Sequence, residues 1–189
     1  MNFYIKGTYL EIDKNAVAIV GSRITSERGE KLAYKFSYEL AKNNITIISG
    51  LAKGIDTIAH QAALDANGRT IAVLAHGLDR VYPAANVGLA NEIIKHGCLI
   101  TKFKEGTTPF AKNFLARNQL IAGLSKAVIV IEGEKRSGSI STANHAANLG
   151  IEVFAVPGSP ATDWLIENGA NIANSPQDIF DYLNTTYSQ

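Results

Sequence analysis

The chain has 189 residues with a formal net charge of +1 at pH 7, and 46% of its residues are hydrophobic. A chain of this length fits one domain with a substantial core, and no apolar run approaches the length that spans a bilayer. The near-zero net charge gives no general sign of nucleic-acid binding, so any basic site must be local.

Cys98 is the only cysteine, which excludes an internal disulfide and is compatible with a reducing cytosol. Its neighbours Leu99 and Ile100 predict a buried thiol. The four histidines and the cysteine show no zinc spacing, so we expect no metal site. The N-terminus has no basic region followed by an apolar stretch, so we expect no signal peptide and a cytoplasmic protein without membrane association.

The N-terminus is predicted to form an edge hairpin, with strands at residues 3–6 and 9–12 around Gly7. Strands are then predicted at residues 16–20, 45–48, 70–74, 98–101, 127–131, 152–156 and 171–173, and helices at 53–66, 87–96, 110–124, 139–149, 163–167 and 176–183. Continuous apolar strands that alternate with helices indicate a doubly wound α/β fold with a mostly parallel sheet. This single domain comprises an N-terminal strand segment, a core and a C-terminal helix, at about residues 1–14, 15–174 and 175–184.

The first buried strand ends at Gly21, where glycine permits a sharp turn. Thr25 or Ser26 can then cap a helix that continues to about residue 42. A strand, a glycine turn and a helix N-terminus form a natural anion site, to which Arg23 adds a bidentate phosphate ligand. The residues alone leave open a plain βα turn with a solvated Arg23. The spacing of the dinucleotide-binding glycine fingerprint is absent, which argues against NAD or FAD.

Ligands of doubly wound sheets bind outside the carboxyl ends of the strands. Small, polar or basic residues follow every predicted strand, which favours a long groove lined by backbone. The turn at residues 137–139, Ser-Gly-Ser, is a second candidate phosphate site, although Ser139 is equally compatible with a plain helix cap.

Phe110 and Phe114 alternate with Lys112 and Arg117 at helical spacing, as a base-stacking platform beside cations requires. Phenylalanines four residues apart are also typical of a core face, so we expect one of the two to pack inward.

A hydrolytic triad of Ser49, Asp56 and His60 can be imagined, but the sequence lacks the nucleophile-elbow motif and the usual triad order. We expect Asp56 to support its loop near a helix start and His60 to be a structural histidine. Asp79 is expected to brace a turn.

The ordered motifs at the strand ends resemble those of the DNA-processing protein A (DprA/Smf) family, from about residue 4 to residue 170. They are Val-Gly-Ser-Arg at 20–23, Ser-Gly-Leu-Ala-Lys-Gly-Ile-Asp at 49–56, Gly-Leu-Asp-Arg-Val-Tyr-Pro-Ala-Ala-Asn at 77–86, Arg-Asn at 117–118, Ser-Gly-Ser at 137–139 and Val-Pro-Gly at 156–158. Each motif alone is weak evidence for the family, whereas the ordered set of motifs is highly specific to it.

The resemblance implies an extended Rossmann-like domain that binds single-stranded DNA without sequence preference and helps to load RecA recombinase during natural transformation. It implies a homodimer, no turnover chemistry and no metal or nucleotide cofactor. The residues that it places at the DNA are Gly21, Ser22, Arg23, Ser49, Gly50, Lys53, Lys112, Phe114, Arg117, Asn118, Ser137, Gly138 and Ser139.

The alternative from another class is a nucleotide-handling enzyme related to the lysine-decarboxylase-like phosphoribohydrolases. Those enzymes carry a catalytic carboxylate after a glycine-rich phosphate loop. Here Asn144 and His145 stand where that acid is needed, and this difference separates the two hypotheses.

Overall fold

The structure, a computed structural model, describes residues 3–187 and contains one eight-stranded sheet in the order β1-β5-β4-β3-β2-β6-β7-β8. The strands are β1 Tyr4–Gly7, β2 Ala16–Val20, β3 Thr46–Ser49, β4 Thr70–Val73, β5 Cys98–Thr101, β6 Ala127–Val130, β7 Glu152–Ala155 and β8 Asn171–Ile172. The helices are α1 Glu27–Lys42, α2 Ile55–Asp65, α3 Val87–His96, α4 Ala111–Gly123, α5 Gly138–Asn148, α6 Pro160–Glu167 and α7 Pro176–Tyr187. Only β1, which is antiparallel to β5, departs from parallel pairing.

Both faces of the sheet are covered by helices, because successive side chains of each strand point to opposite sides. In β2, Ala18 and Val20 pack with residues of α4, α5 and α6, whereas Val17 and Ile19 pack with residues of α1, α2 and α7. Helix α3 covers β4 and β5 next to α2. This arrangement confirms the predicted doubly wound α/β fold with a mostly parallel sheet.

The predicted N-terminal hairpin is wrong. β1 pairs with β5, and Glu11–Lys14 forms a short 3-10 turn in place of a second strand. The turn brings Asp13 into the protein interior, where its carboxylate accepts hydrogen bonds from Arg69 at 2.7 Å and from the Leu10 N–H at 2.7 Å. A continued strand would leave these groups without their partner.

Two helix boundaries differ from the prediction. Ser159 accepts a hydrogen bond from the Thr162 N–H and Pro160 follows at the first helical position, so α6 begins three residues earlier than predicted. The last helix continues to Tyr187, whose ring lies 4.2 Å from the Lys126 ammonium. The division of the domain into three segments stays a prediction.

Among residues 3–187, the structure has no helix with the length and apolar character needed to cross a membrane.

Burial of Cys98 on β5 gives a chemical test of the fold. The side chain is fully buried, and burial raises the pKa of its thiol to about 12. We therefore expect thiol reagents at pH 8 to leave Cys98 unmodified in the native protein and to modify one thiol per chain in urea. Rapid labelling of the native protein would contradict this placement of β5.

Candidate nucleic-acid interface

An open cleft of about 650 Å³ lies at the carboxyl ends of β2 and β6, between the start of α5 and one side of α4. These two strands are neighbours, and the chain proceeds from them toward opposite edges of the sheet. The cleft is thus at the topological switch point, where doubly wound sheets bind their ligands.

Nine of the thirteen residues predicted at the DNA line this cleft. They are Gly21, Ser22, Arg23, Phe114, Arg117, Asn118, Ser137, Gly138 and Ser139. The other four, Ser49, Gly50, Lys53 and Lys112, lie outside the lining. The structure therefore brings together three of the predicted segments, at residues 21–23, 114–118 and 137–139. About ninety residues separate the first segment from the second, and about twenty separate the second from the third.

The turn after β2 is tightly held from both sides. A side chain at Gly21 would place its Cβ 2.6 Å from the Ile55 side chain and 3.0 Å from the Glu132 carbonyl, so close approach requires glycine here. The Ser22 hydroxyl accepts a hydrogen bond from the Ile24 N–H at 3.2 Å and donates to the Ile24 carbonyl. Ser22 therefore shapes the turn that presents the exposed side chain of Arg23.

Arg23 lies above an aromatic pair at the mouth of the cleft. Its guanidinium carbon is 5.2 Å from the centroid of the Phe114 ring, and the Tyr82 ring meets Phe114 edge-on at 6.1 Å. Phe114 is half-buried in the cleft wall and Phe110 is 61% exposed. The expectation that one of these two phenylalanines packs into the core is therefore wrong, because α4 turns this side toward the cleft.

The N-terminus of α1, predicted as an anion site, already holds a carboxylate of the chain itself. Ser26 is the helix cap and accepts from the Gly29 N–H, as predicted. The Glu132 carboxylate accepts from the Ser26 N–H at 3.0 Å and from the Ser26 hydroxyl at 2.6 Å. The Ser22–Arg23 turn, upstream of the helix, is the part of the predicted anion site that this carboxylate does not contact.

The Ser-Gly-Ser turn forms the opposite wall of the cleft. Ser137 occupies the cap position of α5, so the interpretation of Ser139 as a plain cap is wrong. The two hydroxyls lie 2.7 Å apart, and Asn118 donates to the Gly138 carbonyl at 3.2 Å. Asn118 thus joins α4 to this turn.

The remaining predicted residues occupy three different environments. Ser49 is fully buried and its hydroxyl donates to the Ile19 carbonyl at 2.7 Å. Gly50 lies behind the buried guanidinium of Arg117, which donates to the Gly50 carbonyl at 2.5 Å. Lys53 and Lys112 are exposed and lie outside the lining of the cleft.

Asp56 supports its loop, as predicted. The buried carboxylate accepts from the Gly50 N–H at 3.1 Å and weakly from the Ala52 N–H at 3.4 Å. Burial raises the pKa of Asp56 and lowers the pKa of the neighbouring Arg117, and the charge of each group opposes the shift of the other.

His60 belongs to the interior and not to a catalytic site. Its Nδ1 lies 2.6 Å from the Thr70 hydroxyl on β4, and burial lowers the pKa of the imidazole to about 3. The bond to Thr70 agrees with the expected structural role of His60. Ser49 and Asp56 are each bonded to backbone groups, so the imagined triad is not assembled.

Asp79 was expected to brace its own turn, and it joins this turn to a second loop, since its carboxylate accepts from the Gly106 N–H at 3.0 Å. Within residues 3–187 no group of three or more acidic, histidine or cysteine side chains could hold a metal ion.

Sequence reasoning missed the exposed apolar residues around the cleft. Ile24 is 90% exposed, Leu115 is 57% exposed and Tyr82 is 49% exposed. Ile24 and Leu115 line the cleft directly. A large apolar side chain directly after a polar turn, as at Ile24, was the available signal.

Comparison with known proteins gives consistent matches along the chain. A family model for DNA recombination-mediator protein A matches residues 1–184. Protein Smf of Escherichia coli is 41% identical over 187 residues, which are 95% of this chain and 50% of Smf. DNA processing protein DprA of Streptococcus pneumoniae is 44% identical over 169 residues, which are 86% of this chain and 60% of that protein. The chain thus spans about half the length of the curated relatives that it matches.

Solved structures agree with the sequence matches. DNA processing protein A from Streptococcus pneumoniae has a TM-score of 0.89 at 42% identity, over 95% of this chain and 65% of that chain. DNA processing protein A from Helicobacter pylori has a TM-score of 0.89 at 31% identity, over 98% of this chain and 87% of that chain. The molybdenum cofactor carrier protein from Chlamydomonas reinhardtii shares the fold alone, with a TM-score of 0.65 at 15% identity over 92% of this chain and 98% of that chain.

The doubly wound sheet, with a cleft at its switch point formed by backbone turns, a guanidinium and aromatic rings, defines a Rossmann-like binding domain. The match over residues 1–184 then gives its family. The chain belongs to the DNA recombination-mediator protein A family.

Proposed function

We propose that this domain binds single-stranded DNA without reading its sequence, in the cleft between the Ser22–Arg23 turn and the Ser-Gly-Ser turn. The observation that carries the proposal is the exposed Arg23 guanidinium, held over the ring of Phe114 at the mouth of the cleft. A cation beside an aromatic ring supplies both interactions that sequence-independent single-strand binding uses.

The cleft offers groups that can bind both the phosphate and the base of a nucleotide. The Arg23 side chain is exposed and can donate two hydrogen bonds to a phosphate, and the turns on both sides offer backbone groups. The aromatic pair of Tyr82 and Phe114, with Ile24 and Leu115, offers apolar surface to bases. Every base has an apolar face, so such a surface is tolerant of sequence.

The opening of the cleft favours a strand over a free nucleotide. Ile24 and Leu115 of its lining are exposed, and the exposed cations Lys53 and Lys112 are close in sequence to the lining residues Ala52 and Phe114. Salt-sensitive binding of a chain of phosphates follows from such a distribution of charge.

The relatives support the biological setting of the proposal. The Helicobacter pylori protein of the same fold binds single-stranded DNA, and the family is that of recombination mediators. We therefore propose that the chain acts as a recombination mediator in natural transformation, as a cytoplasmic homodimer that helps to load RecA, by binding and without turnover chemistry.

Fluorescence anisotropy of labelled oligo-dT tests this proposal. We expect binding that weakens steeply between low and physiological salt, and that unlabelled single strand displaces more effectively than duplex of the same length. Free mononucleotides at the same phosphate concentration serve as the control and should not compete. Absence of binding at low salt, or equal competition by duplex, would contradict the proposal.

A further inference from the structure

The loop that joins β3 to α2 holds a strained conformation next to the cleft. Leu51 has a φ of 58°, in the left-handed region, although its side chain is fully buried. A branched residue in this region costs free energy, and it persists only when surrounding groups fix it. The surroundings of this loop therefore have to supply that restraint.

Three buried side chains from three separate parts of the chain hold this loop. Arg117 of α4 donates to the Gly50 carbonyl at 2.5 Å, and Asp56 of α2 accepts from the Gly50 N–H. Asn86, directly before α3, donates to the Leu51 carbonyl at 2.9 Å. All three side chains are buried, so the loop is fixed from the inside.

The same loop supports the turn that presents Arg23. The Ile55 N–H, at the end of the loop, donates to the Ser22 carbonyl at 3.0 Å. Gly54 approaches so closely that a Cβ there would overlap the Ser22 carbonyl oxygen. A shift of the loop would therefore move the Ser22–Arg23 turn with it.

The Arg117 guanidinium itself is committed to the protein. Arg117 is 5% exposed, and its guanidinium also donates to the Val73 carbonyl at 3.2 Å and to the Asn118 side chain at 3.1 Å. These bonds engage three of its five N–H donors, and burial leaves little of the guanidinium exposed to a phosphate.

We infer that Arg117 is a positioning residue, which acts on DNA through the Gly50–Leu51–Ala52 loop and the Ser22–Arg23 turn, and does not contact a phosphate. The inference rests on the proposed binding of single-stranded DNA and deepens it. Both Arg23 and Arg117 were predicted from the sequence to lie at the DNA. In this inference they have different roles, because only Arg23 contacts a phosphate.

Gly50 offers a way to disturb this contact without removing any charge. A Cβ at position 50 would overlap the Arg117 guanidinium, and Gly50 itself is not in the left-handed region. Gly50→Ala therefore displaces the flexible end of Arg117 while every cation of the chain is kept. Arg117→Met removes the guanidinium and keeps an unbranched side chain in its place.

The experiment measures the affinity for oligo-dT and its salt dependence for wild type, Gly50→Ala, Arg117→Met, the double variant and Arg23→Gln. We expect Gly50→Ala and Arg117→Met each to raise Kd about tenfold, the scale on which supporting groups act at a binding site. The double variant should be no weaker than the single ones, because both changes disrupt one contact. The slope of log K against log salt should stay at the wild-type value in these three and fall by about 0.7 only in Arg23→Gln.

Two further readouts separate positioning from general destabilisation. Kd is measured well below each thermal midpoint, so that only folded protein is titrated, and the amide resonances of Ser22 and Arg23 are expected to shift in Gly50→Ala. If Arg117→Met fails to fold, the Kd and the amide resonances of Gly50→Ala alone test the inference. Wild-type affinity in Gly50→Ala with unshifted resonances, or a slope reduced by about 0.7 in folded Arg117→Met, would overturn the inference while the proposed function stands. Absence of oligo-dT binding by the wild type would overturn both.

Discussion

Arg23→Glu is expected to weaken the binding of oligo-dT roughly a hundredfold, or by about 2.7 kcal/mol. The wild-type guanidinium is exposed at the mouth of the cleft and is held over the Phe114 ring, so it is available to a phosphate without a large loss of freedom. The variant removes this cation and places a carboxylate against the phosphates. The stability of the fold should change little because Arg23 is exposed.

The matched control for Arg23→Glu is Lys35→Glu on α1. Lys35 is exposed on the outer side of a helix that packs on the other face of the sheet from α4. Both substitutions change the net charge by two, from +1 to −1, so they alter general electrostatic attraction equally. We expect Lys35→Glu to raise Kd less than threefold, as estimated for a distant screened charge. Equal losses in the two variants, measured by anisotropy at physiological salt, would show that binding reflects net charge alone.

Asp13→Ala is expected to lower the free energy of unfolding by about 3 kcal/mol, because it removes the ion-pair partner of the half-buried Arg69 and the acceptor of buried hydrogen bonds. The Asp13 side chain is fully buried and accepts from Nε and Nη2 of Arg69, at 2.7 and 2.8 Å. It also accepts from the Leu10 N–H and from the Thr46 hydroxyl. For a chain of this size the thermal midpoint should fall by roughly 6 to 12 °C.

Glu11→Ala, in the same short turn, is the control for Asp13→Ala. Glu11 pairs with Lys14 at 2.6 Å, but both side chains are mostly exposed, at 84% and 67%. An exposed pair of this kind contributes less than about 1 kcal/mol. Calorimetry that found the same midpoint for both variants would contradict the assigned role of the buried carboxylate.

The acid dependence of stability gives an independent check on Asp13. Burial alone would raise the pKa of Asp13, but the hydrogen bonds from Arg69, the Leu10 N–H and Thr46 lower the pKa below its ordinary value. The unfolded chain therefore binds this proton at a higher pH than the folded chain, so the stabilisation is complete above about pH 5 and is lost as the pH falls through the folded pKa. The difference in unfolding free energy between wild type and Asp13→Ala should shrink below about pH 4.

Much of the fold could be predicted because its strands are continuous apolar runs. The strand at Ala16–Val20 and the helix that ends at Lys42 were predicted with their observed limits, since a buried parallel strand and an amphipathic helix have distinct periods. The N-terminal turn could not be predicted in this way. It depends on Asp13 reaching Arg69, a contact between residues far apart in the sequence.

The residues of the site could be predicted from the sequence, but the burial of their individual side chains could not. The rule for strand ends pointed to Arg23 and the Ser-Gly-Ser turn, and the spacing of aromatic and basic residues on a helix pointed to Phe114; all of them line one cleft. Spacing along a helix could not show that Arg117 lies inward, because its direction depends on the carbonyl groups of Gly50 and Val73, which only the fold brings near. The carboxylate of Glu132 at the start of α1 is a similar case.

Photochemical crosslinking tests most directly whether single-stranded DNA lies in the cleft at the switch point. An oligo-dT with one 5-iododeoxyuridine is irradiated on the wild-type protein, and the attached residues are identified by mass spectrometry. We expect crosslinks at Tyr82 or Phe114, the aromatic pair beneath Arg23, and their loss in Arg23→Glu at the same DNA concentration. Crosslinks confined to Trp164 or Tyr187, neither of which lines the cleft, would contradict the account.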